Sequence, residues 1–170
     1  MANRNLLTPE NLTRDGFALF GTFANMISPT GVNTFGQPPV EFNPDMLELD
    51  TGGDNLSLSV CRVNPRQNKI ITSEYHTACG ELILPLDGDV LIHVGPPTAD
   101  DKVPLEKIAV FLVPMGTAVV LKRGVWHHAP FTITEYPVNV LIGLPPRTYA
   151  DDCKVVHHVG EEQLNITIPQ

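Results

Sequence analysis

The sequence predicts an all-β protein, an antiparallel sandwich or barrel, and three observations favour this class. Sixteen prolines and thirteen glycines in 170 residues favour short elements that are joined by turns. Val, Ile, Leu and Thr are frequent, and these residues suit strands better than helices. Ten or so short apolar segments follow one another at regular spacing with little helix between them, as in sandwiches and barrels.

The N-terminal part is predicted to contain one short helix and one strand. Thr8 is the predicted N-cap and Pro9 occupies the first helical position, so the helix begins there and ends near Gly16. Residues 17–23 follow as the first strand, with apolar side chains packed inward. Residues 28–55 are rich in Gly, Pro, Asn and Asp and predict a long irregular connection. The sequence leaves open whether this connection forms a lid or an edge contact.

From residue 56 onward, strands and turns alternate regularly. Residues 56–60 alternate apolar and polar side chains, which is the pattern of a half-buried strand. The Asp-Gly-Asp sequence at 87–89 predicts a hairpin turn between two strands. A continuous apolar run at 108–113 predicts a strand that is buried on both faces. The predicted strands of this part are 56–60, 69–76, 81–86, 90–94, 108–113, 117–121, 131–134, 138–142, 154–159 and 165–168.

Composition and charge exclude several classes of partner. The net charge of −8 argues against a nucleic-acid partner, because neutralising phosphates requires clustered Lys and Arg. Apolar runs are interrupted too often to cross a bilayer, and the first ten residues lack the apolar core of a signal peptide. Three cysteines without CxxC spacing favour free thiols and a cytoplasmic location. We expect one domain over residues 1–170.

Residues 74–88 contain three side chains that can ligate a metal or move a proton. Glu74 and His76 are two positions apart, so on a strand both side chains leave the same face. A turn of small residues at 77–80 leads to Glu81, which opens the next strand. We therefore expect a hairpin that aims the three groups at one point.

A second segment, residues 124–130, supplies a further histidine. His127 and His128 are adjacent, so at most one of them points inward from a strand. Together, His76, Glu81 and His127 would hold a metal and leave positions open for water and substrate. Imidazole and carboxylate ligands suit Zn, Mn, Fe or Ni. The alternative is an exposed polar face that binds no metal.

Four more residues near these segments have two interpretations each. Glu74 is either a fourth ligand or a general base. Lys122 and Arg123 either bind a substrate carboxylate, Arg through its bidentate fork, or belong to a solvated turn. Trp126 is either a core or interface residue or a substrate-binding platform.

The remaining histidines and one cysteine give weaker signals. His157 and His158 are expected at the surface, and His93 lies in a strand without an identifiable partner. Cys79 lies in the turn beside the candidate ligands. A catalytic thiol is a weak alternative there, because no flanking basic residue favours the thiolate.

These motifs resemble the cupin superfamily, which pairs His-x-His-x4-Glu-x6-Gly with a later Pro-x-Gly and His. His76, Glu81, Gly88 and His127 match this pattern, and Glu74 stands where the first His is usual. The resemblance implies a cupin-like double-stranded β-helix, a jelly roll, here with a short N-terminal helix.

The chain resembles the ureidoglycolate lyase family more closely. The similarity implies a homodimer that splits ureidoglycolate into glyoxylate and urea in purine and allantoin breakdown. Gln is usual in that family at the position of Glu81, so the similarity implies a more complete ligand set in this chain. The matching segments are Phe-Ala-Leu-Phe-Gly at 17–21, Glu-Tyr-His at 74–76, Leu-Pro-Leu at 84–86 with Gly88, Arg-Gly-Val-Trp-His-His at 123–128 and Asp-Asp-Cys at 151–153.

The resulting hypothesis gives each candidate a role. A divalent metal on the three predicted ligands chelates the hydroxyl and carboxylate of ureidoglycolate and acidifies the hydroxyl. Glu74 takes the proton, and Arg123 or Lys122 helps to hold the small-molecule carboxylate. One alternative is a cupin enzyme that acts on another small hydroxy acid or a sugar. The other is a cupin that binds a small molecule without turning it over.

Overall fold

The structure is a computed structural model that describes residues 5–168. Almost all regular structure in this range is β, which confirms the predicted all-β class. None of the helices between residues 5 and 168 has the length and apolar character needed to span a membrane. The helices are α1 (Arg14–Phe17) and α2 (Thr148–Asp151), with 3-10 turns at Leu105–Lys107 and Gly160–Glu162. The strands are β1 (Leu6–Leu7), β2 (Glu10–Asn11), β3 (Gly21–Asn25), β4 (Phe35–Gln37), β5 (Val40–Phe42), β6 (Ser57–Val63), β7 (Lys69–Ile70), β8 (Thr72–Tyr75), β9 (Glu81–Pro85), β10 (Val90–Val94), β11 (Ala109–Val113), β12 (Thr117–Leu121), β13 (Phe131–Thr132), β14 (Val138–Leu144), β15 (Lys154–His157) and β16 (Leu164–Ile166).

Two sheets face each other and form a jelly roll. The first has the strand order β3-β12-β9-β14-β6 and the second has the order β13-β10-β11-β2. β10 and β11 form an antiparallel hairpin in the second sheet, while β9 and β12, which flank them in sequence, pair in the first. β13 then adds beside β10, and β14 adds beside β9. This nesting of strand pairs is the double-stranded β-helix that the sequence resemblance implied.

An apolar core fills the space between the two sheets. Strands of both sheets turn alternate side chains inward, as the period of two requires. α1 is held against this core by Phe17, whose ring centroid lies 5.1 Å from that of Phe111. The buried members of the core are Phe17, Phe20, Val63, Ile83, Val90, Ile92, Val94, Phe111, Val113, Val119, Leu121, Val125, Val138 and Val140.

A second apolar cluster covers the outer face of β10, which is therefore buried along its whole length. The small sheet β1-β16-β7 lies over this side of the barrel. Leu91 of β10 packs there with Phe131 and Leu164. The predicted strand at 108–113 is β11, which likewise packs into the core through Phe111 and into this second cluster through Val110, as its continuous apolar run indicated.

A buried polar cluster lies behind β8. Ser73 Oγ is 3.3 Å from His93 Nε2 and 2.9 Å from His158 Nε2, and all three residues are buried. His93 Nδ1 is also buried and finds no hydrogen-bond partner in the part of the chain that the structure describes. The expectation that His158 lies at the surface is therefore wrong, whereas His157 is exposed.

The predicted short N-terminal helix is present, but its predicted bounds from Thr8 to Gly16 are wrong. β2 lies within this stretch and pairs in parallel with β11. The helix α1 begins only after Thr13, whose side chain accepts a hydrogen bond of 3.1 Å from the Gly16 amide. Strand pairing with β11 thus overrides a local capping signal that is typically worth only about 1 kcal/mol.

The two predicted hairpins around residues 77–80 and 87–89 are also wrong. β8 and β9 lie in different sheets, and so do β9 and β10, so both turns carry the chain across the barrel. A turn sequence specifies a reversal of direction, but the pairing of the flanking strands depends on tertiary packing. Residues 28–55 contain a small hairpin, β4–β5, instead of irregular chain alone.

The burial of His93 predicts an acid-sensitive fold. Burial, followed by the nearby positive charges of His127, His128 and His158, lowers the pKa of His93 well below 6.5. Below pH 6.5, His93 therefore binds a proton in the unfolded chain but not in the folded chain, so the free energy of unfolding falls as the pH drops. In metal-free protein, His93→Leu is expected to flatten this fall between pH 7 and 5 by up to about 1.4 kcal/mol per pH unit. Denaturant titrations at each pH measure the slope.

Exposed His157 provides the control for this measurement. His157→Ala is expected to keep the pH slope of the parent protein. A His93→Leu protein with the parent slope would show that the buried imidazole does not cause the acid sensitivity.

Candidate metal centre

Two antiparallel segments place three functional side chains on one face. The Glu74 amide donates to the His127 carbonyl at 2.6 Å, and the His127 amide donates back to the Glu74 carbonyl at 2.8 Å. Directly opposed residues of such a pair turn their side chains to the same face. His76, two residues after Glu74, shares that face. Glu74, His76 and His127 therefore leave these segments in the same direction.

Glu81 approaches the two histidines from β9 of the first sheet. It is the first residue of β9 and pairs with Leu121 of β12. Its Oε2 lies 2.9 Å from His127 Nε2 and 3.2 Å from His76 Nε2, and all three side chains are buried. The structure thus brings the three predicted ligands together across the barrel.

Backbone carbonyls determine which nitrogen of each histidine faces Glu81. His76 Nδ1 lies 2.6 Å from the Asp152 carbonyl oxygen, and His127 Nδ1 lies 2.8 Å from the Val125 carbonyl oxygen. Carbonyl oxygens only accept hydrogen bonds, so each Nδ1 carries the hydrogen. In the neutral rings both Nε2 atoms then present lone pairs to a carboxylate. This arrangement requires a positive charge between them, either a proton or a metal ion.

The electrostatics of the triad favour a carboxylate with a cationic partner. Burial opposes ionisation of Glu81, but the charge of His127 and the hydrogen bonds of both histidines outweigh it and lower the pKa of Glu81 to about 2. Burial also opposes a charge on His127, yet the neighbouring Glu81 carboxylate outweighs it and raises the pKa of His127. Both pKa shifts therefore favour an ionised Glu81 carboxylate beside a cation at neutral pH.

The donor atoms of His76, Glu81 and His127 also fit a divalent metal. They lie within 4.8 Å of one another. Ligands at about 2.1 Å from a metal, separated by tetrahedral or octahedral angles, lie about 3.0–3.4 Å apart. The two nitrogen-to-oxygen distances of 2.9 and 3.2 Å are close to that range. Two imidazoles and one carboxylate form a donor set typical of Zn and of non-haem Fe(II), with further positions open.

Glu74 lies beside this triad with Cys153 as its partner. The Cys153 thiol donates to Glu74 Oε2 at 3.3 Å, and donor atoms of Glu74, His76 and Cys153 lie within 4.8 Å of one another. Burial and the charge of Glu74 raise the pKa of Cys153 to about 12, so the thiol is a hydrogen-bond donor at neutral pH.

Sequence reasoning assigned no role to Asp152 or Cys153. The Asp-Asp-Cys sequence at 151–153 matched a family segment, but nothing local indicated a contact with His76 or Glu74. Asp152 is 76 positions from His76 and Cys153 is 79 positions from Glu74, so no periodicity of the sequence reveals these contacts.

Two of the predicted substrate-binding residues have partners outside the triad. Arg123 binds the Asp50 carboxylate through two nitrogens, one of them 2.6 Å from Asp50 Oδ1, and this contact lowers the pKa of Asp50 to about 2. Lys122 donates to the Ala18 carbonyl and borders a cavity of about 670 Å³ that is also lined by Arg14. None of the three triad residues lines this cavity. The convergence of donor atoms, rather than cavity volume, therefore identifies the candidate site.

Trp126 and Cys79 are buried away from the triad. Trp126 alternates with His127 along the chain and so faces the opposite side, where its ring centroid lies 4.4 Å from that of Tyr75. Its Nε1 donates to Thr98 Oγ1 at 3.0 Å, and its side chain has no exposed surface. Burial raises the pKa of Cys79, which argues against an activated thiol.

Comparisons with known proteins agree with these observations at the level of family. A family model described as ureidoglycolate lyase matches residues 4–166. No curated protein matches the chain significantly.

Among solved structures, the chain is similar to oxalate decarboxylases. A mutant of the Bacillus subtilis enzyme is 14% identical over 61% of this chain and 24% of its own, with a TM-score of 0.43. A structure of the same enzyme from a study of its Mn(II) centres is 15% identical over 64% of this chain and 26% of its own, with a TM-score of 0.44. The Lactobacillus farciminis enzyme in complex with formate is 11% identical over 74% of this chain and 33% of its own, with a TM-score of 0.42. The chain thus spans between 24% and 33% of the length of these three.

Loss of the bridging carboxylate tests whether the triad binds metal. Glu81→Gln keeps the size of the side chain but removes its charge, so we expect metal affinity to fall by more than the roughly 10–100-fold that loss of an outer-shell partner costs. Competition with a chromogenic chelator, together with elemental analysis, measures the change. The exposed Glu135→Gln is the charge-matched control, and equal affinities in the two variants would refute the assignment.

Proposed function

The chain belongs to the ureidoglycolate lyase family, and we propose that it splits ureidoglycolate into glyoxylate and urea in the breakdown of purines through allantoin. The observation that carries this proposal is the position of Glu74 beside the buried triad of His76, Glu81 and His127. A cation site next to a carboxylate combines the two functions that the reaction requires, which are substrate polarisation and proton transfer.

The chemistry of the substrate defines what the site must do. The reacting carbon of ureidoglycolate carries a hydroxyl, a carboxylate and a urea nitrogen. When a base removes the hydroxyl proton, the oxygen electrons form the carbonyl of glyoxylate and the carbon–nitrogen bond breaks. The leaving nitrogen then takes up a proton to form urea. One base and one acid on the same side of the substrate are sufficient.

We propose that Glu74 is this base. Its side chain is half-buried and shares a face with His76 and His127, whereas Glu81 is buried and its Oε2 contacts both imidazoles. Glu74 has one oxygen that accepts from the Cys153 thiol, which leaves capacity for a second hydrogen bond from a substrate hydroxyl. Once protonated, the same carboxyl group can return the proton to the leaving nitrogen.

We propose that His76, Glu81 and His127 hold a divalent metal, with Zn, Mn, Fe and Ni as candidates. When bound, such a metal supplies a Lewis acid that polarises substrate oxygens. His76 and His127 direct their Nε2 lone pairs to one point, because the carbonyls of Asp152 and Val125 hold both rings by Nδ1. The Glu81 carboxylate balances part of the metal charge.

Arg123 is the proposed partner of the substrate carboxylate and Lys122 is a secondary candidate, whereas Trp126, which is buried on the opposite face, is not proposed to contact substrate. The Arg123 guanidinium is exposed and presents a bidentate fork, which suits a carboxylate. Because this fork now holds Asp50, substrate binding at Arg123 requires exchange of one carboxylate for another.

We also propose that the chain forms a cytoplasmic homodimer. β6 is an edge of the first sheet in the described part of the chain, and it exposes Leu58 and Val60 by 59% and 62%. Antiparallel pairing with β6 of a second copy would cover these side chains and satisfy the free backbone groups of both edges. All three cysteines are free, which supports a reducing compartment.

The dimer proposal predicts the effect of a charge on this edge. Val60→Lys is expected to give monomers without loss of fold, because the side chain is exposed in one copy. Light scattering after size exclusion measures the mass, and circular dichroism checks the fold. Val40→Lys on the exposed β5 strand is the control, and an unchanged mass for Val60→Lys would contradict this interface.

Substitution of the base tests the proposed reaction. Glu74→Gln is expected to lower the rate of urea release from ureidoglycolate by about 10²–10⁴-fold, since a positioned base typically contributes that much. Metal content should stay that of the parent, whereas His127→Ala should lose both metal and activity. A coupled urea assay with elemental analysis measures both quantities.

Two further variants complete this test. Exposed Glu106→Gln is expected to be fully active, and Arg123→Ala is expected to raise the KM for ureidoglycolate more than it lowers kcat. If Glu74→Gln and His127→Ala both released urea at the parental rate, the assignment would be wrong. A panel of other hydroxy acids and sugars then separates this enzyme from a related one with a different substrate.

A further inference from the structure

Residues Asp152 and Cys153, here termed the 152–153 bracket, contact both halves of the site. They lie between α2 and β15, in a part of the chain that supplies no triad residue. Asp152 contacts His76, and Cys153 contacts Glu74. One short segment therefore contacts a metal ligand and the proposed base.

Asp152 holds the chain immediately after His76. Its carboxylate accepts from the Thr77 amide at 3.0 Å, from Thr77 Oγ1 at 2.6 Å and from the Ala78 amide at 2.8 Å. Its backbone carbonyl accepts from His76 Nδ1 at 2.6 Å. The side chain fixes the turn, and the main chain of the same residue fixes the ring.

This double contact matters because the turn at 77–80 crosses from one sheet to the other. Thr77 and Ala78 are exposed, and β8 and β9 on either side do not pair with each other. Three further contacts act on this part of the chain. The Gly80 amide donates to the Asp50 carbonyl at 2.7 Å, the Gly124 amide donates to the His76 carbonyl at 2.7 Å, and the Cys79 thiol lies 3.9 Å from Thr148 Oγ1. Among these contacts, only those of Asp152 reach both the turn at 77–78 and the His76 ring. The carboxylate of Asp152 thus keeps its own carbonyl aligned with the His76 ring.

Cys153 acts on Glu74 in a comparable way. The thiol donates to Oε2 at 3.3 Å, which leaves the other carboxylate oxygen free. A half-buried glutamate has several rotamers, and one hydrogen bond from a fixed donor selects among them. The orientation of the proposed base relative to the triad therefore depends on this thiol.

We propose that Asp152 and Cys153 are positioning residues, Asp152 for the metal ligand His76 and Cys153 for the carboxylate of Glu74. The Asp152 half rests only on the metal site. The Cys153 half also rests on the proposed function, because it concerns the base. The two halves predict separable effects of neighbouring substitutions.

Asp152→Ala tests the first half. Metal affinity is expected to fall by about 10–100-fold, the usual effect of losing a group that orients a ligand. Chelator competition measures it without any substrate. Asp87→Ala is the matched control, because the Asp87 carboxylate likewise accepts from a backbone amide, that of Asn139, at 2.7 Å. Both variants lose a carboxylate that holds a turn, half-buried in Asp152 and exposed in Asp87, but only Asp152 lies at the site.

Equal metal affinities in Asp152→Ala and Asp87→Ala overturn the first half, since the Asp152 carboxylate would then only stabilise the fold. If Asp152→Ala does not fold, Asp152→Asn replaces it. The amide keeps one acceptor oxygen, so an intermediate loss of affinity is expected, and an affinity equal to that of the parent overturns the proposal.

Cys153→Ala and Cys153→Ser test the second half. Cys153→Ala is expected to keep parental metal affinity and to lower kcat for urea release by less than Glu74→Gln does, with little change in KM. Cys153→Ser should recover part of the loss, because a hydroxyl can also donate to Glu74. Cys61→Ala, which removes a half-buried thiol of β6 that packs against the core, is the control and should leave kcat unchanged.

A crystal structure of Cys153→Ala decides the second half independently of turnover. A Glu74 carboxylate that leaves its position supports it, and one that stays in place overturns it. Absence of urea release from the parent protein refutes the proposed function but leaves the metal-affinity and crystallographic results valid. Parental kcat in Cys153→Ala refutes the role of Cys153 and leaves the function intact.

Discussion

The contact between the Glu81 carboxylate and two imidazoles is the constraint on which the site depends. Glu81 comes from one sheet, and His76 and His127 come from the segments that face it. A buried ion without a partner costs several kcal/mol, so this carboxylate requires positive charge across the barrel. The two layers can therefore approach each other here only if the buried charge of Glu81 is neutralised, and either a proton or a metal ion can do this.

Strand register explains why the other groups reach the same point. Opposition of Glu74 and His127 turns both side chains to the site, and it turns their neighbours Tyr75 and Trp126 to the opposite face, where the two rings pack together. A register slip of one residue would reverse every one of these directions. The Val125 carbonyl that holds the His127 ring belongs to the same segment as His127, whereas the Asp152 carbonyl that holds the His76 ring comes from the distant 152–153 bracket.

Much of this arrangement could be predicted from the sequence, because it depends on local patterns. The bounds of Val90–Val94 and Thr117–Leu121 match the prediction, and alternation alone placed His76 and Glu74 on one face. Local sequence patterns gave wrong predictions where contacts between distant segments determine the structure. β2 forms a strand because β11 is beside it, and His158 is buried because Ser73, 85 residues away, binds it. No sequence pattern encodes such partners, and the same is true of Asp152.

The late position of the 152–153 bracket affects the order in which the protein matures. Synthesis proceeds from the N-terminus, so a nascent chain contains all three triad residues before the residue that holds the His76 ring exists. Contacts between distant segments also form slowly, because their loop-closure entropy must be overcome first. A metal site with an oriented His76 ring consequently requires the chain to fold back from residue 152 onto residues 76–78, after the three ligands themselves are present.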